Sequence, residues 1–250
     1  MMIDNTHNLK KIMEFNPSKS YYKFVCLIRA KDYEDGILPL SNKEKREILV
    51  KQWFVDSQES LDKQLPDMLK MTEMFRCRLY MCLDRKSTMK TLVQMRNQVN
   101  SYLDPFLGND NPSCSVKAIN KITASASSVS ESSDKGNRRW MFDIDTLHPD
   151  VKDFVSKYCG QYYLATFNTK NGYHVIAKKE FNTSNFNKEL ADYAYENGKQ
   201  MWFLDEQNLP VVEVKDNSMV LIAMGEWGWI IIIIKQKKYL DYFGNVKNII

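Results

Sequence analysis

The run Trp140-Met141-Phe142-Asp143-Ile144-Asp145 alternates apolar and acidic residues over its last four positions. In an extended strand successive side chains point to opposite faces, so Asp143 and Asp145 point together while Phe142 and Ile144 pack behind them. The strand must therefore lay one face on a hydrophobic layer and leave the other polar. Two carboxylates about 7 Å apart at Cα on one face can bracket one or two divalent ions. Two such ions roughly 4 Å apart activate a hydroxyl and stabilise a phosphoryl leaving group. A polar edge strand, or aspartates capping the next helix, fits the same pattern.

Downstream, Thr169-Lys170-Asn171-Gly172-Tyr173-His174-Val175-Ile176 places a polar turn before a strand. The turn delivers His174 among apolar and aromatic residues. An imidazole there can donate to a phosphate oxygen, and the turn's N–H groups can cradle phosphate. Gly172 would let the chain approach a ligand closely. A hairpin with a partly buried, hydrogen-bonded histidine is the plainer alternative.

The remaining pattern is a mixture of strands and helices. Tyr21 to Ala30 has strand composition. Ser41 and Glu44 form a capping box predicting a helix to about Trp53. Ser57 starts another to about Met71, which Pro66 should kink or split. Phe75 to Leu83 alternates as a strand, and Ser87 caps a helix carrying Met89, Leu92, Val93, Met95 and Val99. From Phe106 to Arg139 the chain is polar and predicts a flexible loop, most of all its Ser-rich part at 122–137. Asp150 to Tyr158 predicts a helix, and Ser184 caps another to about Asn197. Tyr162 to Phe167, Met201 to Asp205, Leu209 to Val214 and Met219 to Met224 predict strands. The class is α+β with a mixed sheet. Residues 1–20 form a polar leader, 20–226 one domain containing the 106–139 loop, and 227–250 a tail without assigned structure.

Hydrophobic residues at 44% and charged residues at 26% exclude disordered and fibrous classes. The net charge of +4 permits a polyanionic partner without demanding one. The cysteines Cys26, Cys77, Cys82, Cys114 and Cys159 contain no C-x-x-C pair, which argues against a disulfide framework and for a reducing compartment. The N-terminus lacks the apolar core of a signal peptide. Met219 to Ile234, the most apolar stretch, is interrupted by Glu226 and two glycines, so a soluble, non-membrane protein is expected.

The D-h-D strand followed by helix, strand and an N-G-Y-H-V-I hairpin resembles the archaeo-eukaryotic primase superfamily, which includes primase-polymerases of phages, plasmids and viruses. Asp143 and Asp145 match its first motif and His174 the histidine of its second, with Gly172 standing where serine is usual. For its third, hydrophobic-acid motif, Val212-Glu213 has the form, and Asp216 has the usual acid but follows Lys215. In an alternating strand Glu213 and Lys215 share a face while Asp216 falls in a turn, and both acids remain candidates. The specific part runs from Asp143 to about Ile222; towards residue 20 only element order agrees.

The resemblance implies a primase-polymerase-like core with an RRM-like half flanked by helices. Asp143, Asp145 and either Glu213 or Asp216 would be catalytic and hold two Mg²⁺ or Mn²⁺ ions. His174, Gly172, Asn171 and Lys170 would bind the nucleotide. The reaction would be 3′-hydroxyl attack on the α-phosphorus of an NTP or dNTP, directed by a DNA template. Arg85, Lys86, Arg138 and Arg139 are candidate nucleic-acid contacts, as are Arg29 and Lys31 past the first strand. No G-x-x-x-x-G-K-[ST] motif is present, so a separate helicase is an expected partner. Phage or mobile-element origin would place the protein in the host cytoplasm.

Two other classes stay open. Asp143-Ile144-Asp145-Thr146-Leu147 is similar to the first motif of haloacid-dehalogenase phosphatases, although Thr146 comes one residue early and Asp205-Glu206 only imitates the later acidic pair. A non-catalytic nucleic-acid-binding replication module is the other.

Overall fold

The computed structural model describes residues 3–16, 19–29, 32, 47–108, 122, 125–216 and 218–225. Lys31, Ser41, Glu44 and the 227–250 tail lie outside them. The molecule is α+β, built on two sheets.

Strand β2 (Ser20–Arg29) is buried along both faces, Tyr22, Phe24 and Cys26 on one and Val25 and Leu27 on the other. Burial on both faces fixes it as an inner strand. β3 (Glu47–Val55) and β4 (Arg78–Cys82) pair with it antiparallel, setting Phe24 between Trp53 and Met81. β10 (Met219–Met224) joins β4, β1 (Ile3–Asp4) joins β10, and β5 (Lys86–Ser87) joins the start of β2. Helix α2 (Gln58–Phe75) begins at Ser57, whose Oγ accepts from the Ser60 N–H at 3.1 Å. It places Leu61 and Met68 in the core shared with Tyr22, Phe24 and Met81. Pro66 is accommodated within it, and Arg76 ends it in the left-handed region at φ 49°.

The second sheet has strand order β7-β8-β6-β9. Along the chain it runs β6 (Arg139–Ile144), α4 (Pro149–Cys159), β7 (Tyr163–Asn168), β8 (Tyr173–Lys178), α5 (Phe186–Glu196) and β9 (Val212–Asp216), a split β-α-β arrangement. Its outer face, with Phe142, Ile144, Val175 and Ala177, is covered by Val151 and Val155 of α4 and Phe186 and Leu190 of α5. The Phe142 and Phe186 rings meet edge-on at 4.9 Å. Met141, Ala165, Phe167 and Ile176 on the inner face join the core of the first sheet.

The N-terminal segment stitches the sheets together. Asn5, fully buried, donates from Nδ2 to the Asn168 and Leu221 carbonyls at 2.9 and 3.1 Å and accepts from the Asn168 N–H at 2.9 Å. Buried Asn8 donates to the Thr166 carbonyl at 2.8 Å, and α1 (Leu9–Ile12) buries Leu9 and Ile12. Ile3, Asn5, Asn8, Leu9, Ile12 and Met13 are thus buried in the segment read as a polar leader.

Several local expectations are corrected. Every strand pair is antiparallel, not mixed: the α4 crossover leaves β7 parallel to β6, but β8 lies between them. Residues 47–55 are a strand, not a helix, because their β-branched and aromatic residues pair along β2. The expected strand at Met201–Asp205 is largely a short helix, α6 (Gln200–Phe203). Asn185, not Ser184, occupies the N-cap position of α5, and its side chain makes no capping bond. In the expected 106–139 loop, the segment 125–137 is packed down, with Ala126, Ser127, Ser132 and Asn137 buried. Its Ser128 and Ser133 hydroxyls accept from Lys23 and Lys86 at 2.7 and 3.0 Å. Helix α3 (Thr88–Gly108) precedes it, and the Ser87 Oγ accepts from the Lys90 N–H at 3.4 Å. Among the described residues no helix is long and apolar enough to cross a membrane.

Candidate functional site

β6 is an inner strand of the second sheet, held by ladder bonds on both sides. The register sets Asp143 opposite His174 on β8 and opposite Glu213 on β9. Directly opposed residues point the same way, so the three stand in a row on the inner face. Met141 and Lys215 form the next pair on that face. Asp145 follows the end of β6, its N–H donating to the Val211 carbonyl at 3.0 Å. Its carboxylate is exposed and has no bonded partner among the described residues.

Lys215 Nζ lies 2.6 Å from Asp143 Oδ2 and 2.8 Å from Glu213 Oε2. His174 is buried, and its Nε2 stands 3.2 Å from Asp143 Oδ1. The His174 Nδ1 accepts from the Leu221 N–H on β10 at 3.5 Å, which leaves Nε2–H as the donor to Asp143. Burial works against ionisation of Asp143, but the bonds from His174 and Lys215 outweigh it and hold the carboxyl down to about 2. Burial likewise disfavours the charged Lys215, yet its bonds to Asp143 and Glu213 raise it above the ordinary lysine value.

A cleft of about 310 Å³ separates this row from the first sheet. Asp143, Asp145, His174 and Lys215 line one wall; Leu27, Arg29, Arg78 and Tyr80 line the other. On that second wall Arg78 bonds Asp32 through both Nε, at 2.7 Å, and Nη2, with both side chains buried. Arg29 pairs with Glu47 at 2.8 Å, and both guanidinium groups reach the Tyr80 hydroxyl, at 3.3 and 3.4 Å.

The hairpin turn enters the same cleft through Thr169, Lys170 and Asn171. It is closed by the Thr169 N–H donating to the Gly172 carbonyl at 2.9 Å. A Cβ at position 172 would lie 1.8 Å from the Ile144 carbonyl oxygen and 3.0 Å from the Thr146 nitrogen. The close approach that Gly172 permits is to the backbone at the end of β6. That contact docks the turn beside Asp143 and Asp145. It also leaves no space for the serine usual in the resembling motif.

The two candidate third acids separate. Glu213 stands beside Asp143, whereas Asp216 pairs with Trp140 on the opposite face and is bonded to Lys179 and, at 3.6 Å, to Arg138. The other basic candidates are absent from the cleft lining. Arg85 is held by Asp134 and by the Glu14 carbonyl, both at 2.7 Å. Lys86 is buried against Ser133, and Arg139 is buried against Glu14 at 3.2 Å. These three brace the 134–139 segment. The bridging role of Lys215 and the Arg78–Asp32–Tyr80 group were not expected. Their sequence signals were only the shared face of Glu213 and Lys215 and the arginine on β4.

Asp143 and Asp145 line the cleft and Glu213, outside its lining, stands beside Asp143; carboxylates are the donor type of a hard divalent cation site. As they stand, no group of three His, Cys, Asp or Glu residues among the described residues is placed to hold a metal ion. The point equidistant from Asp143 and Glu213 is taken by the Lys215 ammonium, a cation in the same place.

No protein-family model matches the chain, and no curated protein or solved structure is significantly similar to it.

Proposed function

We propose that the chain is a nucleotidyltransferase of primase-polymerase type, adding NTP or dNTP to a 3′ end on a DNA template. The observation that carries this reading is the His174–Asp143–Glu213 row across adjacent strands, with Asp145 and the Thr169–Gly172 turn beside it. The split β-α-β sheet, with helices on its outer face, corresponds to the RRM-like half that the resemblance implies.

In this reading Asp143, Asp145 and Glu213 hold the divalent ions; bound there, Mg²⁺ or Mn²⁺ neutralises phosphoryl charge and activates the 3′-hydroxyl. A bond forms between the 3′ oxygen and the α-phosphorus, and the bond to pyrophosphate breaks. His174 orients the Asp143 carboxylate through its Nε2–H. Lys170 and Asn171, exposed at the mouth, offer the triphosphate an ammonium and an amide, and the turn's backbone N–H groups add further donors. A template strand, a separate helicase and a host cytoplasmic setting belong to the same proposal. The phosphatase alternative is weakened by Asp205, whose Oδ1 accepts from the Gln207 and Leu209 N–H groups at 2.8 Å and so serves its own turn.

Template-dependent incorporation with Mn²⁺ or Mg²⁺ tests the proposal. Asp143→Ala and Asp145→Ala should each lower it by about 10²–10³-fold or more. Hydrolysis of a phosphate monoester without incorporation would support the phosphatase. Nucleic-acid binding untouched by either substitution, with no turnover, would support the binding module.

A further inference from the structure

We infer that Lys215 is a displaceable internal cation, which bridges Asp143 and Glu213 in the resting chain and swings out to the triphosphate when a divalent ion takes that place. This inference rests on the proposed nucleotidyltransferase reading and deepens it.

The argument begins with charge. Asp143 and Asp145 bring two negative charges to one wall of the cleft, Glu213 stands beside Asp143 just outside its lining, and Lys215 is the cation bonded between Asp143 and Glu213. An ammonium 2.6 and 2.8 Å from two carboxylates uses the oxygen lone pairs that a hard cation would use. Both cannot occupy that point, so they compete. The Lys215 side chain is 31% exposed and hangs on a flexible four-carbon stem, so it can leave towards solvent without disturbing the β6–β9 ladder. Glu213, 71% exposed, is equally free to turn with its partner.

An arriving nucleoside triphosphate is itself an anion and meets a wall of carboxylates. A released Lys215 remains tethered beside that wall and supplies positive charge to the phosphate oxygens. The consequence is coupling: the divalent ion alone must evict Lys215 at a cost, whereas ion and triphosphate together give the ammonium a new partner. By linkage, each then strengthens binding of the other.

The test is Mn²⁺ binding to the full chain, followed by the loss of the free-ion electron paramagnetic resonance signal, with and without a nucleoside triphosphate, the Mn²⁺ held by the triphosphate in protein-free samples being subtracted. Wild type should bind Mn²⁺ weakly alone and about tenfold more tightly with the triphosphate. Lys215→Met should bind Mn²⁺ alone about tenfold more tightly than wild type and gain less from the triphosphate. Lys215→Gln, which keeps a polar side chain of similar reach, should behave alike and covers the case in which the methionine variant fails to fold. Equal Mn²⁺ affinity in wild type and a folded Lys215 variant, with binding abolished by Asp143→Asn, would overturn the role of Lys215 and leave the metal-dependent reading intact. Mn²⁺ binding that is absent, or indifferent to Asp143→Asn, with triphosphate present would overturn both.

Discussion

The two walls of the cleft use the same kinds of charge in opposite ways. On the first sheet each guanidinium has its own carboxylate, Arg78 with Asp32 and Arg29 with Glu47. On the second sheet Asp143 and Glu213 share Lys215, and Asp145 has no bonded partner among the described residues. A wall whose charges are matched is finished without a ligand and acts as a fixed surface. A wall with surplus carboxylate holds negative potential in reserve for something positive. In the proposed reading this difference puts the chemistry on the second sheet and the shaping of the cleft on the first.

The largest expected effect falls on the matched wall. Arg78→Met would leave Asp32 buried without its partner and should destabilise the chain by about 3–5 kcal/mol, read from denaturant unfolding. A change below about 1 kcal/mol would mean that this wall is not held by its pair. Next comes Gly172→Ala, whose methyl collides with the Ile144 carbonyl. It should cost about 1–3 kcal/mol and, by lifting the turn from the end of β6, lower activity as well.

Asp143→Asn sharpens the contrast through pH. A carboxyl ordinarily at 3.8 and held at about 2 in the fold binds fewer protons when folded than when unfolded. Its contribution is therefore complete above about pH 4 and lost as pH falls towards 2, at roughly 2 kcal/mol in all. Unfolding curves should separate wild type from Asp143→Asn at pH 6 and converge only below about pH 2; a constant gap would refute the assignment. The smallest effect belongs to Arg29→Gln, whose pair with Glu47 is partly solvated. Thermal unfolding should register less than about 1 kcal/mol.

What could be foreseen from the residues was local. Period-two alternation announced β6, and a polar Gly-containing turn announced the β7–β8 hairpin, because both signals lie within a few positions. The choice between Glu213 and Asp216 depended on cross-strand register, which two separate segments decide jointly. The 47–55 strand was misjudged because a capping signal at Ser41 and Glu44 is local, while the strand's justification is its pairing along β2. Arg85 and Arg139 were plausible phosphate contacts until their bonds to Glu14 appeared, 71 and 125 residues away along the chain. At Gly172 a close approach was foreseeable, and the structure shows one to the Ile144 carbonyl of the chain itself.

The position of β10 governs the order in which this molecule can be completed. It lies between β1 and β4, and its Leu221 N–H reaches His174. During synthesis the first sheet therefore waits, with an edge of β4 unpaired, until residues 219–224 emerge from the ribosome. Only their insertion seats the N-terminal strand and supplies the second hydrogen bond of the site histidine. A nascent chain halted before that strand would present a bare edge prone to association with other chains. Closure of the first sheet and the bond from Leu221 to His174 thus both depend on β10.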